Sequence, residues 1–395
     1  MSLIIAVCFL LLFAYLFDIT APKTKIPSFI MLLVMGWIVQ QVVVVMGINI
    51  IDLTPLLPIL GNIGLILIVL EGSLELELNK NKISLIGKAS LVALLPMLIL
   101  SFSLAYLFQY VSGVDYLTAL TNAIPFSIIS SAIAIPSVKN FANNDREFVT
   151  YESNLSDIFG IILFNFVTVN EVIEADSFLH FFQDLAIILG ITFVATVILS
   201  FLLSKINHHV KFLPIIVMIV LIYAISKLYH LPALIFIMLF GLFIGNLDEF
   251  KNSKLIQPLQ PEHMDKEVSK FKELTSEATF LIRALFFLLF GFLIKTNELL
   301  NTSTIKWAVI ITAGIFILRM IFLSIFKISL QPLLFIAPRG LISILLFLTI
   351  PLTERLEFNS KSLIIQVILM TAIMMMLGTV FNPDKKEDEK EKSLQ

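Results

Sequence analysis

Two carboxylates stand five residues apart in the run "YESNLSDIFGIILF" at 151–164, Glu152 and Asp157, with apolar sequence on the C-terminal side of both. An ionised side chain at bilayer depth costs about 2.5 to 3.5 kcal/mol on insertion scales, so it persists when paired, solvated or functional. On a helix the two side chains are about 140° apart and face different neighbours. Glu152 shares its face with Ser156, and Asp157 shares one with Ser153 and Asn154. Different faces imply different jobs. The bland reading places Glu152 at the aqueous interface just after "NNDREF", simply solvated; Asp157, five residues deeper, fits that reading less well.

Bases with which such acids pair occur in three apolar runs, as Arg283 in "FLIRALFFLLFG", Arg319 in "FILRMIF" and Arg339 in "APRGLIS". A guanidinium keeps its proton inside a protein, so each arginine needs a permanent acceptor: a carboxylate, a carbonyl or water. Hydroxyls cluster in "AIPFSIISSAIAIPSVKN", where Pro125 and Pro136 bracket Ser127, Ser130 and Ser131. A second proline-bearing run, "QPLLFIAPRGLISILLF", carries Pro338, Arg339 and Gly340. Proline removes a backbone bond and clashes with the preceding turn, and the freed groups are tolerable in lipid only where they face protein or a wet cavity. Both runs are expected to break. Discontinuous helices, one in each half of an inverted repeat, are where secondary transporters place ions. Ordinary proline kinks are the competing explanation, since membrane spans carry them often.

The elements that position these residues follow from composition. With 58% hydrophobic and 14% charged residues over 395 positions, the chain reads as an all-α polytopic membrane protein rather than a soluble core. The formal net charge of −2 identifies no partner, because distribution matters more than total in such a chain. Cys8 stands alone, so no internal disulfide forms. Residues 3–17 lack the preceding basic residue and the cleavage site of a signal peptide and are taken as a first span. Apolar runs of about 17 to 25 residues place helices near 1–17, 26–46, 54–76, 83–109, 115–137, 147–169, 178–204, 212–229, 231–246, 276–296, 303–328, 331–352 and 362–381, thirteen in all.

An odd number of spans puts the termini on opposite sides. Connections after the first, third, fifth, seventh and ninth runs carry Lys23 and Lys25, Lys80 and Lys82, Lys139 and Arg146, Lys205 and Lys211, then Lys251, Lys254, Lys266, Lys270 and Lys272. Those after the second, fourth and sixth hold no Lys or Arg, and the sixth is acidic with Glu171, Glu174 and Asp176. The bias weakens later, at Lys295, Lys306, Arg355 and Lys361, but the tail "DKKEDEKEK" restores it. The positive-inside rule then expects the N-terminus outside and the C-terminus cytoplasmic, in an inner cell membrane. Two soluble pieces remain, a connection of roughly 28 residues after the ninth run and a tail at 382–395 that reads as disordered. Residues 1–381 form one transmembrane domain. No nucleotide fingerprint, Walker loop, zinc spacing or hydrolase elbow occurs; the Gly241 to Gly245 spacing is a common packing pattern. No cofactor and no nucleic acid partner are expected, lipid surrounds the chain, and function lies within the membrane without covalent chemistry.

These segments carry a resemblance. "VLEGSLEL" at 69–76 resembles the "FEGGLNL" segment of the monovalent cation:proton antiporter superfamily, and "YESNLSDIFGIILF" its "ESLLNDxxxxxxF" signature. "HLPALIFIMLFGLFIGN" at 230–246 is similar to its "SGLLAVFVAGLxxGN" run, and "APRGLISILLF" to its "GLRGAVSLAL" helix. The order of the four makes the likeness specific, and it spans nearly the whole chain. It implies a fold of about thirteen spans in inverted repeats, with two broken helices crossing at the midplane of a six-helix core and a second domain as scaffold.

Position by position, the resemblance makes Asp157 the ion- and proton-binding carboxylate with Ser130, Ser131 and Ser156 around it, and pairs Glu152 with Arg319. Arg283, Arg339 and Glu71 are further buried charges. Two departures matter: Ser156 stands where the family has Asn or a second Asp, and Ser130-Ser131-Ala132 replaces a frequent Thr-Asp-Pro. The implied activity is exchange of protons for a monovalent cation, Na+ or also K+ or Li+, electroneutral, in a homodimer that serves pH homeostasis. Desolvation disfavours the ionised form of a lone carboxylate, so proton and cation compete for the same oxygens. A Kef-like potassium efflux protein without its regulatory domain and a sodium-coupled organic anion carrier are the rival readings. A receptor or assembly factor has no need for Asp157 and Arg319 at depth.

Overall fold

The computed structural model describes residues 2–24, 26–47, 52–76, 82–139, 141–170, 172–205, 212–229, 231–247, 261–356 and 361–381. The tail at 382–395, and Lys25, Lys80, Glu171, Lys211, Lys251 and Lys254 of the charge argument, lie outside the described residues. The elements are α1 (Ser2–Thr24), α2 (Ser28–Val45), α3 (Leu56–Glu75), α4 (Ile83–Ser112), α5 (Tyr116–Ser127), α6 (Ser131–Ser137), α7 (Asn143–Val169) and α8 (Ala175–Lys205), followed by α9 (Phe212–Leu228), α10 (Ala233–Gly245) and α11 (Pro261–Phe292). After these come a single turn α12 (Thr296–Leu299), α13 (Thr302–Ile325), a 3-10 turn at Leu333–Phe335, α14 (Leu341–Thr349) and α15 (Lys361–Phe381). Among the described residues, eight helices are long and apolar enough to cross a membrane, and three shorter apolar ones accompany them. A count of thirteen spans is not established by that criterion.

The expected breaks in the fifth and twelfth runs are both present. α5 and α6 are separated by an extended stretch, with Ile128 at φ −87°, ψ 128° and Ser130 at φ −83°, ψ 114°. The prolines are not where the chain unwinds: Pro125 remains inside α5 and Pro136 inside α6. Side-chain and backbone partners from elsewhere hold the intervening residues open instead. In the twelfth run the interruption falls at Ile336–Gly340, between the 3-10 turn and α14, and Pro338 lies within it.

Two boundaries differ from expectation. The soluble connection after α10 is shorter, because α11 begins at Pro261. Val268, Phe271 and Thr275 are buried at helical spacing while Lys266, Lys270 and Glu273 are exposed or half-exposed, an amphipathic start that an apolar-run scan passes over. α1 runs on to Thr24, where hydroxyls of Thr20 and Thr24 donate to the carbonyls of Leu16 and Thr20 at 2.8 and 3.1 Å.

The chain divides into two compact units. One consists of residues 1–62, 86–160 and 281–395, and holds the broken helices, the first part of α7, α13 and α15. The other consists of 63–85 and 161–280. Inside this second unit α10 lies against α3 at van der Waals backbone distance: a Cβ on Gly245 would meet the Leu74 carbonyl oxygen at 2.5 Å, and one on Gly241 would strike the Ser73 hydroxyl. The Gly241 to Gly245 spacing is thus a packing device. Asn246 Nδ2 extends the contact by donating to Leu76 O at 2.7 Å.

Candidate functional site

α7 carries both carboxylates, and they are the two buried acids among the described residues, each 1% exposed. The angular separation expected from helical geometry sends them to different partners. Glu152 meets Arg319 of α13 through two parallel bonds, Nη1 to Oε1 at 2.5 Å and Nη2 to Oε2 at 2.9 Å. Arg319 is itself 3% exposed, and its Nε donates to Leu333 O at 2.8 Å, which ties the pair to the 3-10 turn. Such a fork-to-fork arrangement fixes geometry as well as charge. The pair is intrinsically closed.

Asp157 has no base paired with it among the described residues. Its Oδ2 accepts from both the backbone N–H and the hydroxyl of Ser131, the first residue of α6, the N–H bond measuring 3.2 Å. Its Oδ1 is buried and has no hydrogen-bond partner among the described residues. The same holds for the hydroxyls of Ser130 and Ser343 and for Oδ1 of Asn154, all of them buried. Buried polar atoms are nearly always satisfied, so this group of orphaned oxygens requires an explanation.

The two interruptions satisfy one another's backbone. Ser130 N donates to Pro338 O at 2.9 Å. Arg339, 3% exposed, donates from Nε to Phe126 O at 2.7 Å, from Nη2 to Ser127 O at 3.2 Å and from Nη1 to Ala337 O at 3.0 Å. Its acceptors are therefore carbonyls freed by the breaks, not a carboxylate. Ser156 Oγ accepts from Ile129 N at 2.9 Å, and Thr371 of α15 accepts from Arg339 N at 3.1 Å. Unwound backbone inside a membrane protein is stable where its freed groups find such partners. Gly340 permits the approach: a Cβ there would stand 2.8 Å from the Ser130 hydroxyl and would collide with Ile133.

Asp157, Ser130, Ser131, Ser156 and the Glu152–Arg319 pair thus come together, with Arg339 as the tie between the broken helices. Two further charges expected at depth are only partly covered by protein. Arg283 is half-buried, because its side chain lines a cavity of about 80 Å³ together with Asp18, Ser28, Ile133 and Lys139. Glu71 is half-buried as well, within a stretch of α3 whose flanking Leu70, Ser73 and Leu74 are buried. Sequence reasoning gave no role to Asn154, Ser343 or Thr371. Asn154 had a legible signal, an amide one turn from Asp157 on its face; Thr371 had none.

Comparison with solved structures shows that this architecture is shared. The sodium proton antiporter MjNhaP1 from Methanocaldococcus jannaschii, in its structure at pH 8, matches with a TM-score of 0.70 at 18% identity, covering 95% of this chain and 100% of that one. An electron-microscopy structure of the same antiporter matches with a TM-score of 0.66 at 17% identity, covering 96% of each chain. No curated protein matches by sequence. The model of the family described as sodium/hydrogen exchanger, transmembrane, matches residues 8–383. This chain, a multi-pass helical membrane protein, belongs to the sodium/hydrogen exchanger family, whose activity is cation:proton antiport and not enzymatic catalysis.

Proposed function

We propose that Asp157 is the single carrier carboxylate, loaded alternately with a proton and with a monovalent cation, Na+ first and Li+ or K+ as competitors. The observation that carries this reading is the division of labour between its two oxygens. Ser131 holds Oδ2 with two donors, while Oδ1 is buried and unpartnered. A proton or a cation completes the same atom, so one displaces the other. Ser130, whose hydroxyl is also unpartnered, is the serine best placed to act as a ligand; Ser131 holds the carboxylate and Ser156 holds the unwound strand at Ile129. Hydroxyl and carbonyl oxygens suit a hard cation.

Transport follows if the broken-helix core changes access only with one or the other ligand on Asp157. Glu152 and Arg319 are a structural pair in this account. A bidentate, buried pair has no free oxygen to offer an ion. Exchange is then electroneutral, one proton for one cation, because Ser156 stands where a second acid would titrate. The N-terminus lies outside and the C-terminus in the cytoplasm, residues 1–381 work as one transport domain, and a homodimer serving pH homeostasis is the physiological form. Proteoliposomes with an imposed pH gradient test the reading: sodium, lithium and potassium added in turn dissipate it without an organic substrate. A sustained sodium-driven current reversing at a potential that requires two protons per sodium would overturn the stoichiometry.

A further inference from the structure

Asn154 is a buried amide that the account above leaves idle. It is 3% exposed, on α7 one turn before Asp157. Its Nδ2 donates to Thr150 O at 2.9 Å. That bond fixes the orientation of the amide, since a backbone carbonyl can only accept and the group facing it must be the NH2. Oδ1 is therefore presented away from Thr150, and it has no partner among the described residues. Residues three apart share a helix face, and helical side chains lean toward the N-terminus, so the Asp157 carboxylate leans over the turn that carries Asn154. Asp157 Oδ1 and Ser130 Oγ, on α7 and at the head of α6, are orphaned in the same way.

We infer that Asn154 Oδ1 is a direct ligand of the transported cation. The inference rests on the reading that Asp157 carries the ion. An amide carbonyl is a hard, neutral oxygen donor; it strengthens cation binding without adding a second titrating group, which keeps the exchange at one charge for one charge. It also penalises the empty carrier. With a cation bound, or with an O–H on Asp157, the amide oxygen has a partner; beside an ionised, unloaded Asp157 it faces a like partial charge. A role confined to packing, by contrast, would need only the bond to Thr150.

The test compares wild type, Asn154→Leu, Asn154→Asp and Asp157→Asn in proteoliposomes, with dissipation of a pH gradient followed as sodium, lithium and potassium are titrated. Asn154→Leu removes the oxygen and is expected to raise the half-saturating sodium concentration by roughly ten-fold or more, the scale of one lost bond to a charged group. The preference among the three cations changes with it. Asn154→Asp puts a charge on the same oxygen and lowers the half-saturating concentration. Unchanged concentrations and unchanged preference in both variants overturn the inference, as does a fall in maximal rate alone. If Asn154→Leu does not fold, the isosteric Asn154→Asp decides by the same readout. Wild-type exchange by Asp157→Asn would instead remove the underlying assignment of the ion to Asp157, whatever the Asn154 variants do.

Discussion

Glu152→Gln isolates the structural pair from the carrier site. The substitution leaves size nearly unchanged but replaces two acceptor oxygens, now bonded to Arg319 at 2.5 and 2.9 Å, with one acceptor and one NH2. The NH2 faces a guanidinium N–H, donor against donor, and Arg319 cannot shed its proton. Leaving one member of a buried pair charged and alone costs about 3 to 5 kcal/mol. Adding Arg319→Gln removes the orphaned charge but also the bond from Nε to Leu333 O, worth about 1 kcal/mol. The double variant is therefore expected to be more stable than Glu152→Gln by roughly 2 to 4 kcal/mol, a difference read directly between those two variants, and Arg319→Gln alone closes the double-mutant cycle that gives the coupling. Thermal stability in detergent, measured for wild type, both single variants and the double, is the assay, with exchange recorded on the folded fraction. Exchange persists in folded Glu152→Gln. A double variant no more stable than Glu152→Gln, or a well-folded Glu152→Gln without exchange, refutes the assignment of Glu152 to structure.

Two further outcomes follow from other contacts. Gly340→Ala places a Cβ 2.8 Å from the Ser130 hydroxyl, which must turn aside, so half-saturating sodium rises while stability falls by no more than about 1 to 3 kcal/mol; unaltered cation affinity would count against Ser130 as a ligand. Asp115, outside the spans, caps α5 by accepting from Thr118 N at 2.9 Å, and that bond to Thr118 holds its carboxyl below the usual range. Its folded value being depressed, the contribution is complete above the unfolded value and disappears as pH falls through the folded one. Asp115→Ala accordingly costs about 1 kcal/mol at neutral pH and less in acid, and a cost that does not shrink on acidification would show that the cap is not ionic.

Apolar runs mark the long helices because burial in lipid leaves an uninterrupted signal, and the breaks show as polar residues within such runs, with a proline at the second break, Pro338, but not at the first. The first turns of α11 were not, since their apolar positions are spaced at helical intervals among charges and no window of them is apolar. The pairing of Glu152 with an arginine was foreseen from the cost of a buried charge, and Arg319 was singled out by resemblance; distance and bidentate geometry belong to the fold. Arg339 shows the limit more sharply. Its need for acceptors could be read from the guanidinium, but the acceptors are the carbonyls of Phe126 and Ser127, over 200 residues away in sequence and free only because α5 ends there. Ser156 likewise follows the carboxylate's motif in sequence yet spends its hydroxyl on Ile129 N. Backbone groups carry no side-chain identity, so no pattern of residue types announces them.

The central claim is that the unpartnered oxygen of Asp157 is the atom on which proton and cation alternate. Asp157→Asn keeps the shape and an acceptor for Ser131 while deleting the proton site and the charge, and side-by-side reconstitution with wild type tests it most directly. Sodium added to vesicles with an imposed pH gradient should dissipate the gradient through wild type and leave it intact through equally folded Asp157→Asn; dissipation by Asp157→Asn at the wild-type rate would contradict the account.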